Sequence, residues 1–162
     1  MYFKVMIQSI TAGRSFFKHH IDRVEAMNDM EWYPWNDYIT ILNEISDELD
    51  PSVLKSIGKN IIINQKTAFL GSGMTKLSQL FPILNELYKA QIKETPVHEQ
   101  IETIKSGEYS TVLEMSKNIP VALNEGFYHG FAHIFNEIIK TIDHNLVIRD
   151  GYEKMEYRIT WK

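Results

Sequence analysis

The chain has 162 residues, 44% of them hydrophobic and 23% charged, which is typical of one globular domain and excludes a disordered chain. Its formal net charge of -4 offers no basic field for phosphates, so nucleic acid is not expected as a partner. With no cysteine, disulfides, thiolate catalysis and cysteine-held metals are excluded. No apolar run approaches the roughly 20 residues that cross a bilayer. We expect one domain over residues 1–162, cytoplasmic and not an integral membrane protein.

The N-terminal half has apolar side chains spaced by three and four residues, a pattern that predicts amphipathic helices. Asn36 or Asp37 can cap the helix that carries Ile39 and the apolar residues after it. The Asp50-Pro51 pair, a cap followed by proline in the first turn, predicts the start of the next helix. Gly58, in the middle of that helix, is expected to permit close contact with another helix.

The Gly71-Ser72-Gly73 loop leads into a third amphipathic pattern. Apolar residues step by three and four from Thr75 to Lys93, which predicts one helix. Pro82 can bend this helix, because proline lacks an N–H and crowds the preceding turn.

Beyond residue 100 the apolar spacing changes to strict alternation, which predicts strands. One hairpin turns at Ser106-Gly107 and another at Asp150-Gly151. A helix from about Pro120 to Ile134 separates the two hairpins. The predicted fold class is α+β, with N-terminal helices packed on a C-terminal antiparallel sheet. Two glycines of the late helix, Gly126 and Gly130, are expected to form a close-packing notch against that sheet.

Aromatic residues make up 12% of the chain, enough to consider a lined pocket. The aromatics around Pro34, at a helix entrance, either staple two helices together or form the rim of a pocket. Aromatics of the late helix would wall the same pocket if they face inward. The predicted pocket residues are Trp32, Tyr33, Trp35, Leu84, Tyr88, Phe127, Tyr128 and Phe131.

Three residues of the late helix have the spacing of metal ligands. Glu125, His129 and His133 are each four residues apart, so a regular helix presents them on one face. The alternative is an ordinary solvated helix face. The zinc-protease pattern needs a glutamate directly after the first histidine, and Gly130 stands there. No serine elbow, dinucleotide loop or phosphate loop is present, so no catalytic residue is predicted.

Four short motifs spread along the chain carry a family resemblance. They are Trp32-Tyr33-Pro34, Ser56-Ile57-Gly58-Lys59, Gly126-Phe127-Tyr128-His129-Gly130 and Tyr157-Arg158-Ile159-Thr160-Trp161. With these motifs the chain resembles the superfamily of haem-NO-binding sensor domains, 4-vinyl-reductase-type ligand domains and transport-protein-particle subunits, and most closely a bacterial branch without the haem motif. The resemblance implies helices on a curved antiparallel sheet, commonly a dimer, with a cavity that holds haem or an acyl chain in some members.

The chain departs from the haem-binding members at two places. A haem sensor needs a proximal histidine on the helix over residues 81–90, and Asn85 and Tyr88 occupy the corresponding places. The Tyr-x-Ser-x-Arg clamp for haem propionates is also missing, since Tyr109-Ser110-Thr111-Val112-Leu113 has no arginine. No cofactor is therefore expected.

Two functions follow as hypotheses. The first is a non-catalytic sensory domain whose hydrophobic cavity binds a small molecule, with a homodimer and a downstream signalling protein as partners. The alternative is a dimeric structural or adaptor protein without a ligand. A metal-dependent enzyme using the histidine and glutamate residues of the late helix is the third reading.

Overall fold

The structure is a computed structural model that describes Asp22, Ala26 and residues 34–89 and 95–162. In chain order the elements are α1 (Trp35–Asp47), α2 (Pro51–Ile63), α3 (Lys66–Gly71), α4 (Leu77–Leu80), a 3₁₀ turn (Phe81–Ile83), α5 (Leu84–Lys89), a second 3₁₀ turn (Val97–Glu99), β1 (Glu102–Ser106), β2 (Ser110–Ser116), α6 (Val121–Ile134), β3 (Ile139–Arg149) and β4 (Tyr152–Trp161). In these ranges no helix is long and apolar enough to cross a membrane.

The described residues fall into two compact units. The first contains residues 34–64 and 119–130, and the second contains residues 65–89, 95–118 and 131–162. The class is α+β, as predicted, with helices and one four-stranded antiparallel sheet. The expectation of one functional domain over the chain stays a prediction.

The first unit is helical, and both of its helix starts can be compared with the sequence. α1 begins at Trp35 with Pro34 as its N-cap and no side-chain capping bond. The predicted cap by Asn36 or Asp37 is therefore wrong, because both residues lie inside the first turn of α1. The negative charge of Asp37 is stabilised there by the positive end of the helix dipole. The Asp50 cap of α2 is confirmed, since its Oδ1 accepts the Ser52 N–H at 2.8 Å.

Glycines make the contact between α2 and α6 in this unit. A Cβ on Gly58 would overlap the carbonyl oxygen of Leu123. A Cβ on Gly130 would lie 2.7 Å from the Ile62 Cβ. The close approach predicted for Gly58 is confirmed. The notch predicted against the sheet is wrong, because Gly126 and Gly130 meet the backbone and side chains of α2 instead.

The sheet of the second unit has the strand order β1-β2-β4-β3, all antiparallel. The two predicted hairpins are confirmed and are joined through β2 and β4. We call the face that carries Leu113 and Tyr157 the inner face, since both side chains are fully buried. The neighbouring pair Glu114 and Glu156 points to the opposite, outer face.

The predicted helix from Thr75 to Lys93 is interrupted. Pro82 stands in the 3₁₀ turn between α4 and α5, so the backbone is helical from Leu77 to Lys89 with a local change at the proline, as predicted, and begins at Leu77 rather than Thr75. The Phe81 carbonyl oxygen accepts a hydrogen bond from Thr103 Oγ1 at 2.6 Å. This bond ties the interrupted helix to β1, on the inner face of the sheet.

Candidate functional site

The described members of the predicted pocket are divided between the two units, so their grouping into one site stays a prediction. Trp32 and Tyr33 lie outside the described residues. Trp35 is half-buried at the start of α1, with its ring centroid 5.1 Å from that of Tyr38. This contact lies within a single helix, so the staple between two helices that the sequence offered as an alternative stays a prediction.

Three further pocket residues lie on α6. Tyr128 is buried and Phe127 half-buried, both in the first unit, whereas Phe131 is buried in the second. The Phe131 ring packs edge-on against Phe69, with centroids 5.3 Å apart and an interplanar angle of 86°. This is a favourable geometry for aromatic rings. Phe131 and Phe69 thus form a buried aromatic pair in the second unit.

The remaining two pocket residues, Leu84 and Tyr88, lie on α5 of the second unit. Leu84 is buried and Tyr88 half-buried. The neighbouring Phe81 packs on Trp161 of β4, with centroids 5.1 Å apart. The helical segment and the inner face of the sheet therefore share an aromatic contact in this unit.

In this aromatic contact, the indole N–H of Trp161 lacks a hydrogen-bond partner among the described residues. Trp161 is only 3% exposed, and its indole Nε1 has no hydrogen-bond acceptor within the described part of the chain. A buried donor without an acceptor costs about 1–3 kcal/mol, so such groups are usually paired. The alternating pattern predicts Trp161 at the end of the last strand, but no local signal reveals whether its N–H finds an acceptor. The site prediction accordingly omits it.

The proposed metal ligands have protein partners or are exposed. The Lys55 Nζ lies 2.9 Å from Glu125 Oε2 in the first unit. Burial, followed by the charge of Lys55, lowers the pKa of His129 below its ordinary value of 6.5, and Glu125 opposes this shift. His133 is exposed and belongs to the second unit.

No group of three histidine, aspartate or glutamate side chains in the described ranges could hold a metal. The geometry around Glu125 thus favours Lys55 over a metal as the partner of its carboxylate. The metal reading stays a prediction that no observation supports.

A polar cleft of about 370 Å³ lies on the outer side of the second unit, and none of the predicted pocket residues lines it. His98 stacks on Tyr152 at one wall, with centroids 4.2 Å apart and rings nearly parallel. The charged groups of the cleft are already paired: Lys117 contacts Glu153, and Glu99 accepts a hydrogen bond from Asn118 at 2.8 Å. Its lining is His98, Glu99, Lys117, Asn118, Gly151, Tyr152 and Glu153.

Similar solved structures are H-NOX domains. An oxygen-binding H-NOX domain related to soluble guanylate cyclases, in its oxygen complex, has a TM-score of 0.68 and 14% identity over 99% of this chain and 91% of its own. The chain has an H-NOX-like fold. An H-NOX structure from work on heme distortion gives a TM-score of 0.69 at 14% identity, covering 99% of this chain and 92% of that one. A mutant H-NOX from T. Tengcongensis gives 0.61 at 14%, covering 99% and 87%.

These likenesses confirm the H-NOX-like fold that the resemblance implied. A scan of protein-family models and a search of curated proteins gave no match.

The residues of this chain do not fit haem in the way that the resemblance requires. No histidine stands between residues 77 and 94 in the sequence, so the interrupted helix offers no imidazole to the inner face. Oriented to satisfy both of its polar atoms, the Asn85 amide donates to the Ile101 carbonyl oxygen at 3.0 Å and accepts from Lys89 Nζ at 3.3 Å. Asn85 is therefore engaged in packing α5 beside β1.

The described arginines do not form a propionate clamp on the inner face either. Arg149 and Arg158 donate to Glu114 and Glu156 on the outer face, at 2.7 and 2.8 Å. Within the described ranges these are the two arginines, and both point away from the inner face. Thr111, in the stretch compared with the clamp, donates to the Lys105 carbonyl oxygen at 3.0 Å.

Proposed function

We propose that this chain is a non-catalytic sensory domain that binds a small, largely apolar molecule and works without haem. The ligand would carry a hydrogen-bond acceptor such as a carbonyl or carboxylate oxygen. The domain would act in the cytoplasm as one module over residues 1–162 and pass ligand occupancy to a signalling protein.

The unsatisfied Trp161 N–H is the observation that carries the proposal. The donor is buried beside Phe81 on the inner face of the sheet, and a ligand oxygen there would recover the free energy that its isolation costs. Mostly apolar walls with a few polar groups are the usual composition of a small-molecule site. The H-NOX-like fold supports the proposal, since one solved relative of this fold is an oxygen complex.

The absence of haem rests on the donors that this chain supplies. Haem iron is held by histidine, cysteine, methionine or tyrosine side chains, and the haem sensors that this chain resembles use a proximal histidine. The interrupted helix supplies Asn85 and Tyr88 at the places that the resemblance compares with a proximal histidine. We therefore expect an organic ligand held by apolar contact and one hydrogen bond.

A thermal-shift screen of fatty acids, aromatic carboxylic acids and haemin tests this function. A ligand at 100 times its Kd adds about 2.7 kcal/mol of stability, which raises the Tm by roughly 5 to 10 °C for a chain of this size. The Trp161→Phe variant removes the indole N–H and should lose most of the shift. Tyr152→Phe removes a hydroxyl from the outer side and should keep it.

Three results would speak against the proposal. If no compound raises the Tm, the result favours the alternative of a structural or adaptor protein without a ligand. If a compound stabilises Trp161→Phe as much as the unchanged protein, the Trp161 N–H does not hold the ligand. If haemin gives a stoichiometric complex with a sharp Soret band, the proposal of a haem-free domain fails.

A further inference from the structure

The edge strand β3 is long and carries exposed apolar side chains. It pairs with β4 on one side and, within the described residues, with no strand on the other. Leu146 is 52% exposed and Ile148 is 71% exposed. Such an edge is a template for another strand, and monomeric proteins usually protect it with proline, inward charges or a central bulge. In β3 the register shifts only near its start, between Ile139 and Thr141.

The charges of β3 are arranged for pairing with a copy of itself. Asp143 and Arg149 point to the same face of the strand, because they lie opposite Arg158 and Tyr152 of β4. They are six residues apart, and Leu146 lies midway. A two-fold axis that is perpendicular to the sheet and lies between the two Leu146 residues therefore places Asp143 of each copy opposite Arg149 of the other. The interface contains this pair twice.

The same register also pairs side chains on the other face of the strand. Leu146 meets Leu146 of the second copy on the axis, and His144 meets Ile148 on either side of it. Residues opposite one another in antiparallel strands point to the same face of the sheet. When a strand pairs with a copy of itself, the two residues of a pair must therefore both have even or both have odd numbers. Asp143 with Arg149 is the one pair of opposite charges in β3 that meets this condition.

To make this contact, Arg149 must turn toward the free edge of β3, because its guanidinium extends across β4 toward Glu114 of β2. Its Nε lies 2.7 Å from Glu114 and its Nη2 lies 3.7 Å from Glu156, which leaves Nη1 outside both contacts. The side chain is half exposed.

We propose that β3 pairs antiparallel with β3 of a second copy of this chain, in the register centred on Leu146, to form a two-fold dimer with a continuous eight-stranded sheet. The proposal does not depend on the ligand or on Trp161. It names the surface for the homodimer that the sequence resemblance implied.

A single-cysteine experiment tests the register in the full chain, because the natural sequence contains no cysteine. In the proposed dimer two Leu146 residues face each other with Cα atoms about 4.5–5.5 Å apart, within disulfide range. Leu146→Cys should therefore form a disulfide-linked dimer under mild oxidation at least tenfold faster than Val97→Cys. Val97 is 80% exposed in the second 3₁₀ turn, so it controls for collision of exposed thiols.

Sedimentation velocity over a concentration series gives a second, cysteine-free test. The unchanged protein should dimerise, Leu146→Lys should be monomeric, and Asp143→Lys should weaken the dimer at least tenfold by facing Arg149 of the second copy. Val97→Lys should dimerise normally, and circular dichroism verifies that each variant folds. A monomer at all concentrations, equal weakening by Leu146→Lys and Val97→Lys, or equal oxidation rates of the two cysteine variants would overturn the proposal.

Discussion

Gly126 packs directly on the backbone of Gly58: a Cβ built on Gly126 would lie 2.9 Å from the Gly58 Cα and would overlap the Lys55 carbonyl oxygen. Two helices can approach this closely only where neither carries a side chain at the crossing. The glycine of the late helix is therefore a packing residue, and the neighbouring Lys55–Glu125 ion pair lies beside the same contact.

Substituting Gly126 with alanine should destabilise the protein by roughly 2 kcal/mol or more, because overpacking against backbone cannot be relieved by a side-chain rotation. Gly71→Ala is the matched control: Gly71 is also helical, and a Cβ there meets nothing within 4 Å. Its stability should stay the same or rise by up to about 1 kcal/mol, since alanine is the better helix former. Urea unfolding measures both values. Equal losses in the two variants would refute the packing role of Gly126.

The lowered pKa of His129 predicts a pH dependence of stability. Because its folded pKa lies below the ordinary 6.5, the unfolded chain binds more protons between those two pH values. The free energy of unfolding therefore falls as the pH drops through 6.5 toward the folded pKa. His129→Gln should remove this component, so the unchanged protein should lose more stability than the variant between pH 7.5 and pH 5. An equal loss in both proteins would contradict the lowered pKa.

The neighbours of His129 should move its pKa in opposite directions. Lys55→Met removes a positive charge and should raise the pKa, whereas Glu125→Gln removes a negative charge and should lower it further. Titration of the imidazole proton resonances by NMR gives the three values. A common direction for both variants would indicate that structural change, and not charge, controls this pKa.

The buried Glu114 on the outer face makes Arg149 important for stability. Glu114 is 1% exposed and accepts a hydrogen bond from Arg149 Nε at 2.7 Å. Arg149→Met should cost roughly 2 kcal/mol or more at neutral pH, because it leaves a buried carboxylate without its charged donor. Lys117→Met breaks an exposed ion pair with Glu153 and should cost less than about 1 kcal/mol. Thermal or urea unfolding that gives similar losses for both would contradict this ranking.

Local pattern predicted the strands well, because apolar and polar residues alternate along them and turn residues separate them. The hairpin at Asp150-Gly151 is an example: both residues have positive φ, 51° and 80°, which this turn requires. The pattern could not give the order of the strands. The contact between Glu114 and Arg149 of the other hairpin, for example, depends on the pairing of β2 with β4.

The candidate site was predicted less completely than the fold. The place of Phe131 in a pocket stays a prediction, and sequence spacing could not show that Phe131 packs on Phe69 from a distant helix. The i,i+4 spacing of Gly126 and Gly130 predicted a close approach without naming the element that approaches. The unsatisfied N–H of Trp161 is a property of three-dimensional surroundings, and no local pattern encodes it.

Native mass spectrometry of the purified chain, before and after addition of a fatty acid, an aromatic carboxylic acid or haemin, tests the central claim most directly. The account predicts one bound organic molecule per chain, binding that is weakened by Trp161→Phe and kept by Tyr152→Phe, and no stoichiometric haem adduct. A chain that binds none of these compounds, that takes up one haem per chain, or that binds the organic molecule equally well in both variants would contradict it.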